Sequence, residues 1–322
     1  MGTVMVTGAA GFIGSHLCEA LLARGDRVVG VDNFDSYYDP QKKRHNVSHS
    51  LQHSAFHLHE KDICDATALD RIVRSEKVQG IVHLAALAGV RSSVTRAADY
   101  VQTNVYGTCN VLEAARQAQA EQVVVASTSS VYGATKELPF VETDTADRPL
   151  APYPATKRAA EVLAHAYYNM HGLNVAVVRL FSVYGPRGRP DMMPYQIAQN
   201  LLSGDEVNLF NGGQMWRDWT YVSDIVAGLM SALDHPRSYE IYNLGRGEAV
   251  LMSDLITCLE ELSGRRVVAK HVAAPASEPV KTCADIRKAR RHFGYNPTVQ
   301  FHEGLAQFWQ WRIDQPGELS EK

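Results

Sequence analysis

The sequence is poor in cysteine and lacks a long apolar run. Its 322 residues include only five cysteines, none in Cys-x-x-Cys spacing, so a disulfide framework and a zinc knuckle are both disfavoured. No apolar stretch approaches the roughly 18 residues of a membrane span, and the first residues lack the basic and apolar regions of a secretion signal. We therefore expect a soluble, cytoplasmic protein with reduced thiols at Cys18, Cys64, Cys109, Cys258 and Cys283.

A strong charge of either sign is also missing. The formal net charge is −3 and the pI is about 6.5, which leaves no basic footprint for nucleic acid but permits a small anionic substrate. Histidines recur between positions 45 and 59, some in a polar loop-like segment and some on an alternating strand. Because these positions imply no single ligand geometry, we expect no metal site.

The sequence does contain a regular alternation of apolar β-type runs and helix-type segments. The runs Thr3–Thr7, Arg27–Val31, Gly80–Leu84, Gln122–Ala126 and Asn174–Leu180 predict strands with helices between them. This order predicts an α/β fold, a Rossmann-type doubly wound parallel sheet covered on both faces. After Gly185 the pattern is less regular. We expect a first domain at residues 1–184, onto which parts of the later chain fold back, and a smaller α/β substrate lobe at 185–322.

A glycine-rich turn joins the first predicted strand to the first helix. Gly8, Gly11 and Gly14 follow the strand directly, the helix is predicted over Ser15–Arg24, and the next strand ends in Asp32. Gly8 permits the tight turn, Gly11 lets the backbone approach a pyrophosphate at the helix N-terminus, and Gly14 lets helix and strand pack closely. Asp32 would accept a hydrogen bond from a ribose 2′-hydroxyl and repel a 2′-phosphate. The sequence therefore predicts a site for NAD rather than NADP.

Two further segments supply groups for alcohol chemistry. Tyr153 and Lys157 lie four residues apart at the start of a predicted helix, so they share one face. The lysine charge would favour the phenolate, so Tyr153 could accept a proton well below the pKa of free tyrosine. Ser127 and Thr128 end a predicted strand at the same sheet edge as the dinucleotide site. Together these residues predict the oxidation of an alcohol.

The glycine turn, Asp32, Thr128 and the Tyr153/Lys157 pair resemble the extended short-chain dehydrogenase/reductase family over most of the chain. The resemblance implies that Thr128 orients the substrate hydroxyl, that Tyr153 exchanges its proton, and that Lys157 bridges the nicotinamide ribose. It also identifies Asn104 as the family's structural asparagine. The residues that it implies for the NAD site are Gly8, Gly11, Phe12, Ile13, Gly14, Asp32, Asn33, Asp62, Ile63, Ala85, Ala86, Asn104, Ser127, Tyr153 and Lys157.

The residues after Thr128 separate the chemistries of this family. Sugar-nucleotide dehydratases usually carry Asp-Glu there, and UDP-glucuronate decarboxylases tend to carry a glutamate at the second position, whereas this chain has Ser129 and Ser130. What remains is an exchange between alcohol and ketone, as in a sugar-nucleotide 4-epimerase. The stretches 32–40, 83–91, 183–192 and 217–221 are similar to those of UDP-glucuronate 4-epimerases in particular.

This closer resemblance implies a set of substrate contacts. Ser129, Ser130, Ser182 and Arg189 would surround a C6 carboxylate, for which an arginine fork is well suited. Arg91 would lie close to the sugar–diphosphate region. Arg217 would meet the pyrophosphate, and the run from Val207 to Phe210 would lie along the uracil.

One segment departs from the resemblance. Where relatives often carry Gly-Asp, in some epimerases preceded by an arginine, this chain has Ala274–Val280, so Lys270 or Lys281 could hold the diphosphate instead. The alternatives left open are a 4-epimerase of another nucleotide sugar, a UDP-glucuronate decarboxylase and a non-catalytic NAD-sensing protein. The family further implies a homodimer joined by the predicted helices Asp99–Ala118 and Tyr153–His171.

Overall fold

The structure is a computed structural model that describes residues 2–315. In chain order its strands are β1 (Thr3–Thr7), β2 (Arg27–Asp32), β3 (Phe56–Glu60), β4 (Gly80–His83), β5 (Gln122–Thr128), β6 (Val175–Leu180), β7 (Ser182–Tyr184), β8 (Val207–Phe210), β9 (Trp216–Arg217), β10 (Trp219–Tyr221), β11 (Tyr239–Leu244), β12 (Val250–Leu251) and β13 (Ala269–Val272). The α-helices are α1 (Phe12–Arg24), α2 (Pro40–Val47), α3 (Ala66–Ser75), α4 (Val90–Ser93), α5 (Ala97–Tyr100), α6 (Gly107–Ala118), α7 (Pro152–His171), α8 (Met193–Ser203), α9 (Val222–Asp234), α10 (Met252–Ser263), α11 (Arg287–Phe293) and α12 (Phe301–Ile313).

A seven-stranded parallel sheet forms the centre of the fold. Its strand order is β11-β6-β5-β4-β1-β2-β3, so the chain winds outward from β1 in one direction and then, from β4, in the other. The predicted doubly wound sheet is thereby confirmed. A binding crevice is expected beside the carboxyl ends of β1 and β4, where the winding reverses. The outer strand β11 comes from the later part of the chain and pairs with β6.

Helices cover both faces of the sheet. On one face α1 and α9 pack against the strands, and on the other α3, α6 and α7 do so. Every residue of the interior strand β5 is buried. Strands buried on both faces explain why the sequence shows continuous apolar runs there instead of alternation.

Two helices differ from their predicted bounds. Helix α1 begins at Phe12 rather than Ser15, because Gly11 already serves as its N-cap and Gly14, which the prediction left in the turn, lies inside the helix. The helix predicted from Asp99 to Ala118 is α5 and α6 joined by a π-helical turn, Val101–Tyr106. Such turns are rare and have no clear sequence pattern.

Candidate active site

The glycine turn depends on close backbone approaches. Gly8 has φ +71°, and a Cβ there would lie 2.8 Å from the backbone nitrogen of Ala85. A Cβ at Gly14 would lie 2.0 Å from the carbonyl oxygen of Gly8, so only glycine lets α1 approach β1 this closely. The turn leads into the N-terminus of α1, whose first N–H groups have no partner within the helix. This geometry suits an anion such as a pyrophosphate.

Asp32 ends β2 next to this turn and is buried. Its carboxylate accepts hydrogen bonds from the backbone N–H groups of Ala10, at 3.0 Å, and Phe34, at 2.8 Å. Burial raises the pKa of Asp32, while the bond from Phe34 and the charge of Lys43 lower it, and the net shift is upward. A carboxylate has about four lone-pair sites, so acceptor capacity remains for a ribose hydroxyl.

The cavity beside the turn is named here the glycine-turn cleft. Two of the residues predicted for the cofactor do not line it. Asp62 accepts a hydrogen bond from Asn33 at 2.8 Å and so orients a lining residue. Asn104 is fully buried in the π-helical turn, where it binds the backbone of Leu87 and the hydroxyl of Thr156 and does not reach the cleft surface. The other predicted residues line the cleft: Gly8, Gly11, Phe12, Ile13, Gly14, Asp32, Asn33, Ile63, Ala85, Ala86, Ser127, Tyr153 and Lys157.

Thr128, Tyr153 and Lys157 meet beyond the carboxyl end of the sheet. Thr128 is the last residue of β5, and its hydroxyl accepts a hydrogen bond from the backbone of Ser130 at 3.2 Å. Tyr153 lies in the first turn of α7, and Lys157 lies one turn later and is buried. Pro154 falls in that first turn, where proline is tolerated.

The electrostatics of this group differ from the expectation. Burial raises the pKa of Tyr153, and the charge of Arg189 and the hydroxyl of Thr128 lower it, with a net shift upward. Burial also lowers the pKa of Lys157 to about 8, against an upward pull from Glu161. The expected lowering of the tyrosine pKa by Lys157 is therefore not seen. The spacing argument left out burial, which disfavours the charged form of both groups.

A second cavity, named here the arginine cleft, adjoins the first at Tyr153 and Arg189. Two predicted substrate residues do not line it: Ser129 begins a 3-10 turn directly after Thr128, and Val207 lines a neighbouring cavity instead. The predicted substrate residues that line it, together with Thr128, are Arg91, Ser130, Ser182, Arg189, Phe210 and Arg217.

Arg217 is already paired within the chain. Its Nη2 donates to Glu278 at 2.9 Å, and its Nη1 donates to the carbonyl oxygens of Trp216 and Pro279, each at 2.9 Å. Burial lowers the pKa of Arg217, against an upward pull from Glu278. The segment that departs from the resemblance, Ala274–Val280, thus brings a carboxylate into the arginine cleft.

The two lysines suggested as substitutes for the missing segment do not enter the site. Lys270 is exposed on β13, and Lys281 is exposed just before Thr282. Neither lines the glycine-turn cleft or the arginine cleft. The cations that line the arginine cleft are Arg91, Arg189 and Arg217.

Tyr37, Asp191 and Glu278 are among the cleft-lining residues that sequence reasoning missed. Tyr37 and Asp191 lie in the stretches 32–40 and 183–192, which had been singled out by resemblance, but no chemistry was assigned to either residue. Glu278 lies in the departing segment. The available signal was a phenol or carboxylate inside a stretch already marked, although its partner could not be read from the sequence.

Other expectations concern metals, membranes and thiols. Among residues 2–315, no cluster of histidine, cysteine and acidic side chains is arranged to hold a metal ion. His57 and His59 approach Glu76 instead, at 3.4 and 2.9 Å. Over the same range, no helix combines the length and apolar character needed to cross a bilayer. All five cysteines are free thiols.

The chain is similar in sequence and in structure to enzymes that act on nucleotide sugars. The sequence profile of the NAD dependent epimerase/dehydratase family matches residues 4–245. UDP-glucuronate 4-epimerase 3 of Arabidopsis thaliana is 39% identical over 329 aligned residues, which cover 97% of this chain and 76% of that protein. The crystal structure of UDP-glucuronic acid 4-epimerase from Bacillus cereus, in complex with UDP-glucuronic acid and NAD, has a TM-score of 0.90 at 35% identity, covering 96% of this chain and 98% of that one.

A different chemistry occurs on an equally similar backbone. The dTDP-glucose 4,6-dehydratase DesIV from Streptomyces venezuelae, solved with NAD bound, also has a TM-score of 0.90, at 32% identity over 97% of each chain. Fold similarity therefore does not distinguish an epimerase from a dehydratase, and the side chains around the reacting carbon must do so.

Proposed function

Because the chain belongs to the NAD dependent epimerase/dehydratase family, we propose that it is an NAD-dependent epimerase that converts UDP-glucuronate to UDP-galacturonate by inverting C4. The observation that carries this proposal is the position of Tyr153 and Arg189 at the junction of the two clefts, with Thr128 beside them. A proton acceptor for a sugar hydroxyl, Tyr153, thus lies next to a cation that can bind a sugar carboxylate, Arg189. Two similar proteins named as UDP-glucuronate 4-epimerases support this choice over the dehydratase.

The backbone of the turn and the side chains that line the glycine-turn cleft are suited to NAD. The close approach at Gly14 leaves the α1 N-terminus open to the pyrophosphate, and Asp32 can accept from a ribose hydroxyl. Ser127 and Lys157 line the end near Tyr153 and would hold the nicotinamide ribose. When bound, NAD supplies reversible hydride exchange at C4, so no net oxidation results.

Tyr153 acts as the acid–base group of the proposed reaction. As the phenolate it removes the proton of the 4-hydroxyl as C4 is oxidised to a ketone, and Thr128 holds the oxygen by a hydrogen bond. Arg189 favours the phenolate, and Lys157 is charged below its pKa of about 8. The keto sugar then turns about its diphosphate linkage, and Tyr153 returns the proton after C4 is reduced on its other face.

The orientation of the C6 carboxylate must also be restrained during the reaction. A 4-keto-glucuronate is a β-keto acid: its C5–C6 bond can break, releasing CO2 and sending the electron pair toward the ketone oxygen, when that bond aligns with the carbonyl π system. Hydrogen bonds that keep the carboxylate near the ring plane would oppose this alignment. We assign this role to Ser129, Ser130, Ser182 and Arg189. Arg91 and Arg217 would meet the diphosphate side, and the strand from Val207 to Phe210 the base.

The two lobes of the chain would divide the binding of cofactor and substrate. We assign NAD binding to residues 1–184 together with β11, and most contacts to the sugar nucleotide to residues 185–322. We also propose a homodimer formed through the α5–α6 segment and α7, where apolar side chains are unusually exposed: Val101 by 52%, Val162 by 54% and Met170 by 65%. A cytoplasmic location is supported by the free thiols.

The test is a product assay. Purified protein is incubated with UDP-glucuronate, UDP-glucose or dTDP-glucose, and the nucleotide sugars and released CO2 are quantified. Conversion of UDP-glucuronate to UDP-galacturonate is expected, and Tyr153→Phe should reduce turnover by about a thousandfold while NAD stays bound. Tyr242→Phe, whose hydroxyl contacts His292 at 3.0 Å outside both clefts, is the control. Turnover by Tyr153→Phe at the wild-type rate would contradict the mechanism. Conversion of a different sugar nucleotide, or a pentose nucleotide as main product, would favour the alternative epimerase or the decarboxylase.

A further inference from the structure

The guanidinium of Arg189 is held from one side by Asp191. Nε donates to Asp191 Oδ1 at 2.9 Å, and Nη2 donates to Oδ2 at 3.2 Å. A guanidinium has five N–H donors in a fixed plane, and this pairing uses only its Nε edge. Within residues 2–315, Nη1 makes no hydrogen bond, and Arg189 lines both clefts. Asp191 thus fixes the guanidinium of Arg189 through Nε and Nη2 and leaves the Nη1 end available to a second carboxylate.

Asp191 is in turn fixed by a residue from a distant part of the chain. The hydroxyl of Tyr37 donates to Asp191 Oδ2 at 3.2 Å and also contacts the hydroxyl of Ser92 at 3.2 Å. Space around this hydroxyl is tight, since a Cβ at Gly89 would lie 2.3 Å from it. Tyr37 lies between β2 and α2, in a segment that lines the glycine-turn cleft beside Asp32.

The pairing also affects the net charge that a substrate meets. Arg189 and Asp191 together are neutral, so an incoming carboxylate gains directed hydrogen bonds but little net attraction. Orientation, not charge excess, would then decide how an acidic group is held. This differs from a lone arginine, whose long side chain is free to follow the anion.

We propose that Asp191 is a positioning residue, which aims the free end of the Arg189 fork at the C6 group of the sugar, and that Tyr37 ties this alignment to the segment lining the cofactor cleft. The inference rests on the proposed function, because it takes the C6 group to be a carboxylate. Asp191 contacts neither the reacting carbon nor the cofactor in this scheme. It acts through Arg189, and specificity for an acidic sugar depends on it.

The decisive variant is Asp191→Asn, which removes the charge but keeps the shape. The Arg189 charge is then uncompensated and less well aimed. We expect UDP-glucuronate to bind several-fold more tightly, kcat to fall about tenfold, and the fraction of turnovers that release CO2 to rise. The amount of NAD bound to the protein should be the same as in the wild type. Asp191→Glu should recover part of kcat. Tyr37→Phe keeps the Arg189–Asp191 pair neutral, so it should lower kcat about threefold and raise the CO2 fraction without tightening the binding of UDP-glucuronate.

A matched control is available in the same loop. Arg187 pairs with Glu19 at 2.8 Å, at similar exposure but outside both clefts, so Glu19→Gln should behave like the wild type. Asp191→Asn behaving like Glu19→Gln would overturn the proposal. The proposal would also be overturned if Asp191→Asn lowered both the melting temperature and the activity but left the CO2 fraction unchanged. That result is expected of an ion pair that only stabilises the fold.

Calorimetry separates failure of this inference from failure of the proposed function. The dissociation constants of UDP-glucuronate and UDP-glucose are measured for the wild type and Asp191→Asn, without need of turnover. A changed ratio between the two ligands supports the positioning role even if another sugar proves to be the substrate. An unchanged ratio rejects it even if the wild type epimerises UDP-glucuronate.

Discussion

The glycine-turn cleft and the arginine cleft are built by different means. Backbone geometry shapes the first: a Cβ at Gly14 would lie 2.0 Å from a carbonyl oxygen, and no other residue can take that place. Paired charges shape the second: Arg189 binds Asp191 and Arg217 binds Glu278, each at 2.9 Å. One cleft is thus defined by steric limits and the other by ion pairs.

The difference predicts how each cleft responds to substitution. A change that violates a steric limit cannot be relieved without moving the backbone, so it should reduce stability and cofactor retention. A change in a partly exposed ion pair is worth about 1 kcal/mol or less, so it should alter substrate affinity while the fold persists. Substitutions in the two clefts can therefore be told apart by what they change.

The largest effect is expected at Gly14. Gly14→Ala places a methyl group against the rigid backbone of the turn and should lower the free energy of unfolding by about 3 kcal/mol, with loss of bound NAD. Gly11→Ala is the matched variant, since its φ of −73° suits any residue and its nearest contact is 3.2 Å. It should keep the fold and lose mainly NAD affinity. If urea unfolding gave the same free energy of unfolding for both variants, steric limits at Gly14 would not define this cleft.

Beneath the glycine-turn cleft lies a chain of uncharged hydrogen bonds. Ala85 N–H donates to the hydroxyl of Thr7, at 3.2 Å, and that hydroxyl contacts His83 Nδ1 at 2.7 Å. His83 Nε2 contacts the hydroxyl of Thr108 at 2.9 Å, which donates to the carbonyl of Asn104 at 2.6 Å. Because Thr108 gives its proton to a carbonyl, it must accept from Nε2. Nε2 therefore carries a proton, and in a neutral His83 the other ring nitrogen, Nδ1, accepts the proton of the Thr7 hydroxyl.

The second prediction follows from this neutral histidine. Burial lowers the pKa of His83 from 6.5 to about 3. Between these values the unfolded chain binds a proton that the folded one does not, so the free energy of unfolding falls as the pH falls. From pH 7 to pH 5 this residue alone should contribute a loss of about 2 kcal/mol. His83→Gln should be less stable at pH 7 but show a shallower slope, measured by urea unfolding at both pH values. Parallel slopes would contradict a neutral His83.

The same contrast explains what the sequence could and could not predict. Gly14 and Asp32 were predictable because a βαβ unit converts local spacing into one fixed geometry. Thr128 was predictable because strand ends meet at one edge of a parallel sheet. Asp191 was not, since its partner Tyr37 lies 154 positions away and only the folded chain joins them. The shifts in pKa were also out of reach, because they depend on burial, which spacing does not reveal.

The smallest effect is expected at Glu278, in the arginine cleft. Glu278→Gln removes a carboxylate that competes with a diphosphate for Arg217, whose Nη1 remains anchored to two backbone carbonyls. UDP should then bind about fivefold more tightly by calorimetry, a gain of about 1 kcal/mol that shrinks as salt is added. Glu248→Gln is the control, since Glu248 pairs with Arg246 but is exposed outside the cleft. Weaker binding of UDP by Glu278→Gln would instead make Glu278 an acceptor for hydroxyl groups of the nucleotide. The ion pair would then be part of the recognition surface rather than a competitor of the substrate.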